Sequence, residues 1–486
     1  MPTGSLRSMA TTITPALWAQ VGDPRAVRLQ APVRREWWTD AVALVVWATC
    51  LVVVMLWMSN GGATDLAAGA GPALASLGRL TGLISSDLLL LQVLAMARIP
   101  WVESSLGQDR ITRWHRLLGF TSVNLMLAHL VLITIGYALL DQTGFFSELW
   151  SLVTTAPGLL LATAGTALFV LIAVTSARAA RRRLRYESWH LLHLYAYLGA
   201  GLALPHQLWT GTDFRSSPVA TAYWWGLYLA ALVSVLVFRV AIPLTTSCRH
   251  RLTVSHVVPE GPGVVSVYIT GPRLATLSVA AGQFFVWRFR TGRGWTRGHP
   301  LSLSAAPTSG VLRITAGTGG DDGARLARLE PGTRVLVEGP YGRLTPDLRT
   351  HRGLVVIGSG LGIAPLIALL QHAAFDQSAA AVPATLVRRV SSVEQRPLQD
   401  DVERLVADGS LRVQDLVGPR STSGTSWLPA HLAQVPGPQA LRLLVPDLAD
   451  CDVYVCGAAP WVEAVVTDAR AAGVPADALH SERFTW

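Results

Sequence analysis

Lysine is absent from all 486 residues, so the 40 basic residues are arginines. That absence removes Schiff-base chemistry and the phosphate-binding lysine of Walker-type loops. Charge is scarce too: 15% of residues are charged and 51% are hydrophobic, against about 25% charged in an ordinary soluble protein, which excludes a fully soluble chain. The four cysteines, Cys50, Cys248, Cys451 and Cys456, are too few and too scattered for a disulfide framework, a zinc site or a four-cysteine iron-sulfur cluster. They point to a cytoplasmic setting for the soluble part. At roughly 100 to 200 residues per domain the length gives two to four domains and excludes a small binding module. The net charge of +9 suits a nucleic-acid partner only if it lies on one soluble face.

The charge lies elsewhere. Six apolar runs, 41–58, 76–97, 117–140, 157–176, 188–206 and 219–240, precede residue 245, each near the length of about 20 residues that crosses a bilayer. The first run starts too late for a cleavable signal and reads as a retained span. Segments 1–39, 98–116, 177–187 and 239–251 carry 5, 4, 5 and 3 arginines, whereas 59–75, 141–156 and 207–218 carry 0, 0 and 1. This asymmetry predicts six spans in the cytoplasmic (inner) membrane with both termini in the cytoplasm, and no nucleic-acid role.

Downstream, short β-type stretches at 251–258, 263–271, 283–290, 300–304, 311–316 and 334–338 predict a small antiparallel barrel. After residue 351 the order becomes strand, glycine turn and helix, with strands at 354–357, 384–390, 411–416 and 452–456, as a parallel sheet with crossovers requires. The expected fold is thus a multidomain membrane protein: segment 1–39, a six-helix transmembrane bundle (40–243), an antiparallel β-barrel (246–346) and an α/β Rossmann-like domain (350–486).

Histidines fall inside the spans, where ionisable groups are costly and mark function. His115 and His129 are 14 residues apart on the third run, close to four turns and about 21 Å of rise on one face. On the fifth run His193 and His206 match that separation best, and His190 is an alternative to His193. Facing imidazoles can hold a haem iron from both sides, so the expected pairs are His115 with His193 (inner) and His129 with His206 (outer). Arg79 is a candidate partner for a haem propionate.

The stretches Gly298-His-Pro-Leu-Ser-Leu-Ser-Ala-Ala-Pro307, Val337-Glu-Gly-Pro-Tyr-Gly342, Gly358-Ser-Gly-Leu-Gly-Ile-Ala-Pro365, Tyr454-Val-Cys-Gly457 and His480-Ser-Glu-Arg-Phe-Thr-Trp486 follow the order of the ferredoxin-NADP reductase superfamily. With the histidine bundle, residues 40–486 resemble the bacterial ferric reductase and NADPH oxidase family. The resemblance implies FAD, a nicotinamide nucleotide and two b-type haems. It places His299, Pro300, Leu301 and Ser302 along the flavin, with Ser302 near its reactive nitrogen and Gln283 on a bordering strand. Leu301 stands where the family usually has an aromatic residue. Gly320 and Gly323 belong to a turn resembling the flavin-phosphate site. Gly358, Gly360, Gly362 and Pro365 form the nucleotide pyrophosphate turn, and Cys456 and Gly457 lie beside hydride transfer. Glu482 stands by the nicotinamide, and either Phe484 or Trp486 covers the flavin. Arg388 and Arg389 end a strand where an acidic residue would bind a ribose hydroxyl, which favours NADPH over NADH. The implied activity is NAD(P)H-dependent electron transfer to an extracytoplasmic acceptor: an Fe(III) chelate, or oxygen giving superoxide. A membrane-anchored flavin reductase serving a cytoplasmic partner is the rival. The oligomeric state is open.

Overall fold

The computed structural model describes residues 37–177, 180, 186–292, 294–375, 384–421 and 426–484. The start of the basic N-terminal segment, Arg181–Arg183 and Trp486 lie outside the described residues. The chain separates into two compact units, one helical and ending at Ala241, the other beginning at Ile242.

The helical unit contains long helices α1 (Trp37–Ser59), α2 (Ala70–Met96), α3 (Gln108–Leu140), α4 (Leu159–Ser176), α5 (Tyr186–Trp209) and α6 (Pro218–Ser234). The last continues through a π-helical segment, Val235–Ala241. Among the described residues four helices are long and apolar enough to cross a membrane: Ala70–Met96, Arg110–Leu140, Leu159–Ser176 and Pro218–His250. In lipid no hydrophobic force draws helices together, so small residues that admit close backbone approach and side-chain hydrogen bonds do that work. On α2 and α3, Ser85 Oγ donates to the Ser122 carbonyl at 2.8 Å and Ser122 Oγ donates to that of Ser85 at 3.0 Å. A Cβ on Gly78 would lie 2.9 Å from the Ile133 nitrogen, one on Gly82 would strike His129, and one on Gly119 would meet Gln92. These contacts fix an antiparallel register between the two helices.

In the second unit, strands β1 (Thr253–Pro259), β2 (Val264–Thr270), β3 (Phe284–Phe289), β4 (His299–Ser302), β5 (Leu312–Gly317) and β6 (Val335–Tyr341) form two three-stranded antiparallel sheets, ordered β1-β2-β5 and β4-β3-β6. Bridges Thr253–Arg334 and Leu303–Ile314 join their edges. Between them Val267, Phe285, Trp287, Leu303 and Ile314 are fully buried. The Trp287 indole donates to the Leu301 carbonyl at 2.9 Å, which satisfies its one polar atom inside the core. A short helix α7 (Gly320–Leu326) follows β5.

The remainder is a five-stranded parallel sheet ordered β11-β10-β7-β8-β9, with β7 (Gly353–Ser359), β8 (Ala384–Val390), β9 (Leu411–Val417), β10 (Cys451–Ala458) and β11 (Leu479–Phe484). Helices α8 (Ile363–Phe375), α9 (Gln399–Ala407), α10 (Gly437–Leu444) and α11 (Ala459–Ala471) complete the crossovers. Strand order reverses between β7 and β10, the topological switch point at which such sheets open a crevice beyond the strand ends.

Candidate functional site

Within the helical unit, the rings of His115 on α3 and His193 on α5 face each other edge to face, with centroids 5.7 Å apart. Nδ1 of His115 is buried without a hydrogen-bond partner among the described residues. His193 lies 3.4 Å from Ser176 Oγ and packs at 5.1 Å on Trp189, whereas His190 is exposed. His129 Nδ1 lies 2.8 Å from the Gly78 carbonyl, and His206 Nδ1 bonds the Ala203 carbonyl. A carbonyl only accepts, so in both rings Nδ1 carries the proton and Nε2 keeps its lone pair, the tautomer of a metal ligand oriented by its second nitrogen.

The sequence reading did not single out the glycines that seat these rings. A Cβ on Gly82 would fall 2.5 Å from His129 Nδ1, and one on Gly158 would fall 2.8 Å from the His206 backbone nitrogen. Small residues one turn apart on α2 were the available signal. Arg79 is occupied by protein groups: its guanidinium meets Asp65 at 3.1 Å and Asp213 at 3.5 Å.

In the second unit, His299 and Pro300 are half-buried on β4, Leu301 packs against the core, and Ser302 is buried at the strand's end. His299 lines a narrow cleft with Phe289, Thr291, Gly294, Trp295 and Arg325. Burial pushes its imidazole below the usual range; Asp322 opposes that shift, while Arg297, Arg325 and Arg288 add to it. The guanidiniums near His299 are engaged by protein groups, Arg297 by Asp322, Arg288 by Glu338 at 3.2 Å and Arg325 by the Thr291 carbonyl at 3.0 Å. Gly320 opens α7 with φ +74°, and a Cβ on Gly323 would lie 2.2 Å from the Gly317 carbonyl. Gln283 turns inward, its Oε1 accepting from the Ala280 amide at 2.8 Å, so that oxygen locks its own turn.

At the switch point, β7 leads through Gly358 into the Gly360–Gly362 turn, and Pro365 is buried in the first turn of α8. A Cβ on Gly362 would sit 2.3 Å from the Cys456 carbonyl, so only glycine lets this turn approach the end of β10. Cys456 is fully buried beside Gly457; desolvation, then the charge of Glu482, pushes its thiol well above the ordinary range, so it stays protonated. In the parallel register Cys456 is opposite Glu482, and Ala458 is opposite Phe484. The Glu482 carboxylate reaches Gly342 beyond β6, its oxygens 3.3 and 3.4 Å from where a Cβ would stand. Cys456, Glu482 and Phe484 thereby converge where the parallel sheet meets the antiparallel lobe. A buried ion pair, Arg313 to Asp401 at 2.8 Å, and Gln371, bonded to both the Ala306 amide and Asp401, tie the two lobes together.

Arg388 and Arg389 require a correction. Arg388 is 1% exposed and grips Asp415 with two hydrogen bonds of 2.7 and 3.0 Å and Gln399 with a third of 2.8 Å. Arg389 is buried against the carbonyls of Val390 and Pro419. Both guanidiniums are engaged within the protein, that of Arg388 by Asp415 on β9 and Gln399 on α9 and that of Arg389 by the Val390 and Pro419 carbonyls, so the strand-end arginines give no reason to prefer NADPH.

Residues 81–204 match the family described as "Ferric reductase like transmembrane component". The ferredoxin reductase component of a 3-ketosteroid-9-alpha-monooxygenase from Mycolicibacterium smegmatis is 27% identical over 48% of this chain and 65% of its own. The ferredoxin--NAD(+) reductase component of an alkene monooxygenase system from Xanthobacter autotrophicus is 30% identical over 42% and 61%, and a flavohemoprotein from Deinococcus radiodurans is 28% identical over 51% and 58%. The chain thus spans less than two thirds of the length of these relatives. A solved ferredoxin NADP+ reductase from Neisseria gonorrhoeae is 20% identical over 48% of this chain and 97% of its own, with a TM-score of 0.39. This chain is thus similar, over residues 81–204, to ferric reductase like transmembrane components and, over about half its length, to ferredoxin reductase components and flavohemoproteins.

Proposed function

We propose that this protein is an NAD(P)H-dependent oxidoreductase of the cytoplasmic membrane, moving electrons through a six-span bundle to an acceptor on the far side. The observation that carries the reading is the histidine arrangement: His115 against His193, and His129 and His206 with Nδ1 tied to carbonyls, on a chain that also holds a flavin-type and a nucleotide-type lobe. The orphaned, buried Nδ1 of His115 and the glycine seat of His129 fit two haems between α3 and α5, with no group requiring displacement of an ion pair. When bound, FAD converts hydride donation into single-electron steps and haem iron relays single electrons, chemistry that side chains cannot supply.

The residues do the rest. We read the two joined antiparallel sheets as the flavin barrel, with Ser302 at the isoalloxazine edge and His299 with Arg297 and Arg325 around the pyrophosphate. The Gly358, Gly360 and Gly362 turn brings backbone amides to the dinucleotide at the start of α8. Cys456 presents a neutral thiol beside the nicotinamide, Glu482 sets the polar side of that contact, and Phe484 closes the flavin face. Both termini face the cytoplasm in this reading, in keeping with the arginine asymmetry.

The proposed acceptor is an Fe(III) chelate. Membrane vesicles supplied with NADPH or NADH test this by chelate reduction measured against oxygen consumption. Reduction of the chelate without superoxide supports the assignment, and robust superoxide without chelate reduction replaces it with an oxidase.

A further inference from the structure

We propose that Asp87 is a proton-binding site coupled to electron transfer, taking up one proton when an electron enters the region between the histidine pairs. The inference rests on the electron-wire reading above. Asp87 is fully buried on α2. Gly82 stands against His129 and Gln92 against Gly119, so Asp87, midway between them on α2, is level with residue 124 on α3. That depth falls between the two histidine levels, about 8 Å from His129 and 14 Å from His115 along the axis.

Its surroundings are polar but carry no positive charge. From α6, Tyr223 Oη donates to Oδ1 at 2.6 Å; from α1, Cys50 Sγ donates to Oδ2 at 3.7 Å, with Thr49 beside it. From α3 this level offers Ser122, which bonds Ser85, and Asn124, which bonds the Phe120 carbonyl; from α5 Gln207 bonds Ser86. On α2 itself Arg79 lies two turns outward and is held by Asp65 and Asp213. Among the described residues no cation pairs with Asp87. A carboxylate so placed is the group on which a proton most relieves the cost of an added electron in the same low-dielectric slab.

The hydrogen bonds can accommodate that proton without rearrangement. Tyr223 Oη lies 2.6 Å from Asp87 Oδ1 and 3.4 Å from the Thr49 carbonyl. With Asp87 ionised, the tyrosine hydroxyl donates to it. With Asp87 protonated, the acid donates to Tyr223 Oη and the tyrosine proton turns to Thr49. A haem held by the histidines would supply the one-electron site, and for each electron it would take from the nicotinamide through the flavin the Asp87 carboxylate gains one proton from water. Both are released when the acceptor takes the electron.

The full-length protein, titrated spectroelectrochemically through its b-type absorbance across the neutral pH range, tests this. In the unaltered protein the reduction equilibrium should weaken by up to tenfold per pH unit, about 59 mV for a one-electron couple. Asp87→Asn should flatten that dependence, Asp87→Glu restore it and Tyr223→Phe move its pH window. Equal slopes in the unaltered protein and Asp87→Asn overturn the proposal while leaving the wire intact. Absence of b-type bands from the unaltered protein overturns the wire and this proposal with it. Should Asp87→Asn fail to fold, the reduced-minus-oxidised infrared spectrum of the unaltered protein decides: a protonated-carboxyl band that appears on reduction and shifts in D2O supports Asp87, and its absence refutes the proposal.

Discussion

Gly82 leaves no room for a side chain beside the His129 imidazole, since its Cβ would fall 2.5 Å from Nδ1. Gly82→Val should therefore displace that ring and lose the outer haem while the inner one remains, halving the haem-to-flavin ratio of the purified protein; an unchanged ratio would remove His129 from the ligand set. Arg388 supports a prediction of the opposite kind. Its bidentate grip on Asp415 is structural, so Arg388→Ala should leave the ratio of kcat/KM for NADPH and NADH unchanged and cost about 3 kcal/mol, the low end for a broken buried pair because Arg396 still reaches Asp415 at 2.9 Å. A collapse of NADPH selectivity would contradict this. The contrast shows what was legible at this scale. The histidines stand out within the apolar runs because ionisable groups are costly there, and the structure brings the rings of His115 and His193 together. The direction of an arginine at a strand end could not be read, because its partner, Asp415, lies 27 positions away and meets it only through the β8–β9 register.

At the scale of elements, the strands of the antiparallel lobe and β7, β8, β9 and β10 followed from alternation and glycine turns, since half-buried and fully buried strands differ in pattern. Strand β11 was not expected as a strand: its polar sequence His480-Ser-Glu-Arg483 fits a sheet edge and yields no hydrophobic signal. The helix Phe145–Thr155 likewise lies where the sequence reading placed only an outer loop. Asp452 shows how β10 and β11 are held together. Fully buried, it accepts from the Thr350 amide at 2.8 Å, the His351 amide at 2.5 Å and His480 Nε2 at 3.2 Å. Burial raises its carboxyl, but the bond from His480 and the two amides outweigh that and hold it below the ordinary range. A depressed folded-state value means that Asp452 stabilises the fold above the unfolded carboxyl value of about 3.9, and that this contribution disappears as pH falls through the folded value. The thermal midpoint of the purified protein should therefore drop in acid, and Asp452→Asn should have a lower midpoint at neutral pH with a shallower acid limb. Parallel acid limbs in the two proteins would remove Asp452 from that role.

For the whole molecule, the arrangement follows from a division of physical environments. The second unit holds a cleft at His299 and a switch-point turn at Gly362 and Cys456, in lobes bound to one another through the Arg313 to Asp401 pair. The change from long apolar runs to strand-and-turn patterns could be read from hydropathy, and the second compact unit begins at Ile242; the contacts that bind its lobes are side-chain pairs with no local sequence signature. The central claim is that electrons cross from the nicotinamide site to the membrane histidines within this one chain. Anaerobic addition of NADPH or NADH to the purified, oxidised protein, followed by absorbance spectroscopy, tests it most directly. The account predicts flavin bleaching followed by growth of reduced b-type bands equivalent to two haems per chain, with only one remaining in His129→Leu. Flavin bleaching with no b-type bands would contradict it.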